Sequence, residues 1–122
     1  MMAAFIGLSL ITACSKNSEA KEALKALRKI EAATEVGVTY QQYRQLLIEA
    51  QAEVNEAKAK LPDGEPKAGL SAVMEMYGAV GDLWGQQIKK DNMDDPKANA
   101  LKQEGWAMAS KKLKEIGKSL GE

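Results

Sequence analysis

The chain has 122 residues, and its seventeen Lys and Arg are balanced by seventeen Asp and Glu with no histidine. That length suits one domain with a modest core, the even charge offers no basic footprint for nucleic acid, and 5% aromatic residues supply few stacking platforms for single strands. Without His there is no ordinary neutral-pH acid–base group and no imidazole ligand, and a single Cys excludes an internal disulfide or a multi-cysteine metal site. Hydrolytic, redox and zinc chemistries are therefore poorly provided for, although a hydrophobic fraction of 45% is ample for a folded core.

Met1–Ala13 is uncharged and holds Phe5, Ile6, Leu8, Leu10 and Ile11. Thirteen helical residues would cover roughly 20 Å, short of a hydrocarbon layer of about 30 Å, so the stretch fits the apolar core of a secretory signal rather than a membrane span. It closes on Leu10-Ile11-Thr12-Ala13-Cys14 and then turns polar at once. That ending resembles the lipobox of bacterial lipoproteins: an aliphatic residue, small residues, then Cys. The resemblance covers only the first fifteen or so residues. It implies that Cys14 receives a diacylglycerol on its sulfur, that residues 1–13 are removed as a signal peptide, and that Cys14 becomes the acylated first residue. Ser15 after the Cys matches sorting to the outer membrane in that class. The class usually carries Lys or Arg ahead of the apolar core, and this sequence has none there. The competing reading is a hydrophobic first helix with a buried free Cys14.

After the lipidated Cys, residues 14–18 read as a short polar tether and 19–122 as a helical domain. Ser18 with Glu19 and Glu22 reads as an N-cap with acids in the first turn. Ala20, Ala23, Leu27, Ile30, Thr34 and Gly37 then recur at spacings of three and four, beside Leu24, which marks one apolar helical stripe ending near Gly37. Thr39 and Gln42 form a capping box, with Val38 and Tyr43 as its hydrophobic staple. The second stripe is Tyr43, Leu47, Ala50, Val54, Ala57 and Leu61, and Pro62-Asp63-Gly64 supplies the turn.

A third helix is predicted from near Pro66, with Leu70, Val73, Tyr77, Val80, Trp84 and Ile88 inward and Met74, Met76 and Leu83 widening the apolar face. Gly78, Gly81 and Gly85 lie on it, at a spacing that allows close helix contact or a local bend. Asp91–Asp95 reads as a polar linker. Asp95-Pro96 is an N-cap followed by Pro at the first helical position, and Leu101, Trp106, Ala109, Leu113, Ile116 and Leu120 form the last stripe. Lys111, Lys112, Lys114 and Lys118 crowd its C-terminal side, where cations suit the helix dipole. No alternating run suggests a strand. Four helices on short loops predict an all-α, antiparallel up-down-up-down four-helix bundle following the N-terminal signal segment, with two extended helical hairpins as the alternative.

Few residues read as a site. Asp91, Asp94 and Asp95 are oxygen ligands without the spacing of an EF-hand, so the plain reading is a loop with Asp95 as cap. Tyr77, Trp84 and Trp106 could line an apolar ligand pocket oriented by Gln86, Gln87 or Gln103, against the alternative that they are simply core. Met74, Met76 and Met108 read as compliant packing rather than a copper cluster. No nucleophile turn or phosphate-binding glycine loop is present. The expectation is a lipid-anchored, non-enzymatic protein of the bacterial cell envelope, held at the membrane through Cys14, with the periplasmic face of the outer membrane as the location that Ser15 suggests. It would need no cofactor and no metal, and would bind an envelope protein or a small apolar ligand. The second expectation is a ligand-sensing or ligand-carrying bundle built around Tyr77, Trp84 and Trp106.

Overall fold

The computed structural model describes residues 2–121, with side chains from Ser18 onward. Four helices follow one another: α1 (Met2–Val36), α2 (Tyr40–Lys60), α3 (Lys67–Lys90) and α4 (Pro96–Ser119). They form the four-helix bundle that the stripes predict. Sequence neighbours pack together, α4 returns to α1, and α1 also touches α3 across the diagonal. Among the described residues no helix is long and apolar enough to cross a membrane.

The helix boundaries follow local chemistry. Gly37 adopts a positive φ of 111° and takes an N–H bond to Ala33 O of 2.9 Å, so α1 stops where an L side chain would be strained. Thr39 accepts from Gln42 N and Gln42 Oε1 accepts from Thr39 N, both at 3.1 Å, completing the capping box. Asp95 caps α4 by accepting from Lys97 N at 3.1 Å, directly before Pro96. α3 is one unbroken helix; Gly81 and Gly85 serve close approach, whereas a Cβ on Gly78 would meet nothing within 4 Å. A Cβ on Gly81 would stand 2.8 Å from Leu47 Cδ1, and one on Gly85 would stand 2.5 Å from Tyr40 Oη.

The core takes Ala20, Ala23, Leu24, Leu27 and Ile30 from α1, and Tyr43, Ala50, Val54 and Ala57 from α2. Leu70, Val73, Tyr77 and Val80 of α3 meet Ala109, Leu113 and Ile116 of α4. Cross-helix pairs give the direction of each element. Lys60 near the end of α2 bonds Glu19 at 3.0 Å, and Lys112 of α4 lies 3.5 Å from Glu65 just before α3.

Three expectations need correction. Ile88 is 47% exposed and Leu101 49%, whereas Gln87 (2%) and Lys102 (8%) point inward. Both shifts follow strict seven-residue spacing. Val73, Val80 and Gln87 share one line on α3, and Lys102, Ala109 and Ile116 share one on α4. The third concerns residues 15–18. In the full chain α1 runs through them without a break, so Ser18 lies inside a helix instead of capping one. The preceding Ala, Leu and Met residues are good helix formers, and an N-cap operates only where a helix begins.

Candidate functional site

Two regions carry the residues singled out from the sequence. The first is the start of α1. Cys14 falls on the helical backbone of α1, but its side chain lies outside the described residues. From Cys14 to Glu19 is five residues, about 7 Å of helical rise. The polar tether expected there is therefore a short helical stem in the full chain.

The second region is the half of the bundle away from Cys14, where four aromatic rings from two helical layers meet. Trp84 of α3 lies 5.5 Å from Tyr40 and 5.6 Å from Tyr43, ring centre to ring centre. Trp106 of α4 lies 6.0 Å from Tyr43 and 6.2 Å from Trp84, edge-on to the latter. These are favourable offset and edge geometries, each adding about 0.5–1.5 kcal/mol beyond area burial. Tyr43 ties the group together. Its Oη donates to the Tyr77 carbonyl at 2.7 Å and accepts from Trp106 Nε1 at 3.2 Å. Burial pushes the Tyr43 phenol up to about 12, while the Trp106 N–H pulls it slightly down.

Of the three residues expected to line a ligand pocket, Trp84 and Trp106 come together and Tyr77 sits deeper, fully buried. Space between the two indoles is shared with Tyr43, the staple residue and first member of the α2 stripe. The Tyr77 hydroxyl has no hydrogen bond of acceptable geometry. Ser110 lies near enough only to pull its pKa down a little, against burial first and then the Glu31 carboxylate, which raise it.

A polar layer closes this half of the bundle. Gln87 Nε2 donates to Asn99 Oδ1 at 3.0 Å and, at 3.4 Å, to the Asn92 carbonyl, leaving its own Oε1 buried without a donor. One turn along each helix, Lys102 Nζ lies 5.0 Å above the Trp84 ring. The lysine buries its methylene stem and keeps its charge on an indole face instead of a carboxylate. Burial lowers its pKa. The heptad spacing signals both residues; hydropathy pointed to their apolar neighbours.

The surface grooves lie elsewhere. One of about 400 Å³ runs between α2 and α3 over Val54, Ser71, Met74 and Gly78, rimmed by Lys58, Glu75 and Asp82. A shallower one of about 590 Å³ follows the α1–α2 seam at Ala33, Val36, Val38 and Leu46. Asp91 takes a left-handed conformation that ends α3, and Asp95 caps α4. Among the described residues no three acidic or thiol groups converge as metal ligands.

Protein-family models, curated proteins and solved structures were compared with this chain, and none matches it.

Proposed function

We propose that this is a lipid-anchored helical protein of a bacterial cell envelope that works by binding or support rather than by catalysis. The observation that carries this reading is Leu10-Ile11-Thr12-Ala13-Cys14 closing an uncharged stretch and followed at once by polar sequence. In it, the Cys14 thiolate displaces the phosphate-bearing headgroup of a glycerophospholipid to form a thioether to its diacylglycerol. Hydrolysis of the Ala13–Cys14 amide then releases residues 1–13, and the new amine takes an acyl chain from a phospholipid ester, releasing the lysophospholipid. Each buried CH₂ then contributes about 0.8 kcal/mol, so two or three acyl chains hold the domain durably without a spanning helix. A non-catalytic role is favoured by the absence of His and by assigning the sole Cys to the lipid.

The test is metabolic labelling with an alkyne palmitate in a Gram-negative host. Wild type should take the label and fractionate with membranes, while Cys14→Ala should do neither. If the two proteins label equally little and both stay in the soluble fraction, the anchor is wrong.

A further inference from the structure

We infer that the end of the bundle nearest Cys14 is a lipid-facing surface that lies on an anionic headgroup layer; this rests on the anchor reading above. The end is built from the start of the bundled part of α1, the last turns of α2 and α4, and the α2–α3 loop.

Geometry comes first. The level of this end is marked by the Glu19–Lys60 pair, five residues along α1 from Cys14. Five helical residues rise about 7 Å, and the headgroup region of one leaflet is roughly 5–8 Å thick. A lipid on Cys14 therefore sets the Glu19–Lys60 level at the outer edge of the headgroups. Even fully extended, five residues reach no more than about 17 Å, so this end stays close to the headgroup layer.

Charge comes second. Most acidic groups near this end are engaged: Glu19 with Lys60, Asp63 with Lys67 at 3.3 Å, and both Glu65 and Glu115 with Lys112, while Glu22 and Glu56 make no ion pair among the described residues. Lys58, Lys114 and Lys118 are exposed and make no ion pair among the described residues. Lys58 and Lys118 lie within about 5 Å of their helix ends along the axis, and Lys114 within about 9 Å. All three therefore fall within a Debye length of about 10 Å of a surface touching this end. The opposite end is mixed in charge, with Asp91, Asp94 and Asp95 in its α3–α4 loop flanked by exposed Lys89, Lys90 and Lys97. A juxtamembrane lysine near anionic lipid is held there by attraction to the negative surface potential.

The test uses the lipidated protein with an environment-sensitive fluorophore on Asp63→Cys, whose side chain is fully exposed at the α2–α3 loop. It is reconstituted on vesicles of phosphatidylcholine alone, or of phosphatidylcholine with phosphatidylglycerol, each carrying a headgroup-linked quencher. Strong quenching is expected on the anionic vesicles only, and raised salt should reverse it. Replacing Lys58, Lys114 and Lys118 by Gln should lower the docked-to-undocked ratio about tenfold or more, while replacing them by Arg should preserve it. Equal quenching on both vesicle types, or quenching indifferent to the Gln substitutions, overturns the lipid-facing assignment and leaves the anchor standing. Flotation with neutral vesicles no better than that of Cys14→Ala overturns the anchor and the inference with it.

Discussion

The two halves of the bundle are packed by different means. Near Cys14 the interior is aliphatic and small: Ala20, Ala23, Leu24 and Leu27 meet Ala57, Leu70, Val73, Leu113 and Ile116. The far half is aromatic and hydrogen-bonded, with Tyr43, Trp84 and Trp106 in mutual contact and Gln87 and Lys102 turned inward. Non-directional burial holds the first half, so its cohesion scales with the volume filled. In the second, stability depends on particular atoms meeting, and single-atom changes should be felt there. Exposed lysines occur at both ends, while Val36 and Met93 stand exposed at the far one.

The largest effect should come from the aliphatic half. Leu113 is 1% exposed, and Leu113→Ala should cost about 2–5 kcal/mol in urea unfolding, from lost transfer energy and the cavity left behind. A cost below about 1 kcal/mol would mean that this half is loosely filled, and the contrast between the halves would collapse.

Deleting one oxygen probes the other half. Tyr43→Phe removes the acceptor of the Trp106 N–H and the donor to the Tyr77 carbonyl, and should cost about 1–3 kcal/mol. Tyr77→Phe removes a hydroxyl that has no good partner and should leave stability unchanged or raise it by up to about 1 kcal/mol. Equal losses from the two substitutions would show that ring packing, and not the hydrogen bonds, organises this half.

The Tyr43 hydroxyl also has a pH signature. Its pKa in the fold is raised to about 12 from the ordinary 10, so the unfolded chain loses this proton first. The stabilisation is complete below pH 10 and is lost as pH climbs from 10 through 12, a change of about 2 kcal/mol. Tyr77 is shifted in the same direction. Unfolding followed at successive alkaline pH values should show this decline, and Tyr43→Phe, already weaker at neutral pH, should decline less steeply.

How far each half could be read from the sequence follows the same division. The aliphatic stripes declare themselves because every inward position there is apolar, so period and hydropathy agree. Thr39 with Gln42 and Asp95 with Pro96 were equally legible, since capping is decided by a few adjacent residues. In the far half the two signals diverge. Heptad spacing selects Gln87 and Lys102, hydropathy selects Ile88 and Leu101, and the structure follows the spacing. A single chain of residues also hides who meets whom. That Tyr43 of α2 would lie between the indoles of α3 and α4 depends on helix order and rotation, which local sequence does not encode. At the start of α1 local sequence misleads for a different reason: Ser18 is a competent cap, but the residues before it are helical as well in the full chain.

The smallest effect, and the one that best separates the halves, belongs to Lys102. Its ammonium rests on Trp84, and burial lowers its pKa below lysine's ordinary 10.5. The unfolded chain therefore binds this proton more tightly than the fold does. Lys102 weakens the fold while it is charged, and stability recovers as pH rises through its folded pKa toward 10.5. Lys102→Met keeps the buried stem, loses a cation–π contact of about 0.5–1 kcal/mol, and removes the charge that burial disfavours. The two changes oppose each other, so stability near pH 7 should move by less than about 1 kcal/mol. The slope of stability with pH between neutrality and 10.5 should flatten, and Trp84 emission should change as the cation leaves its face. If Lys102→Met costs as much as Leu113→Ala and leaves the slope intact, Lys102 is an integral part of the core, and the two halves are packed alike.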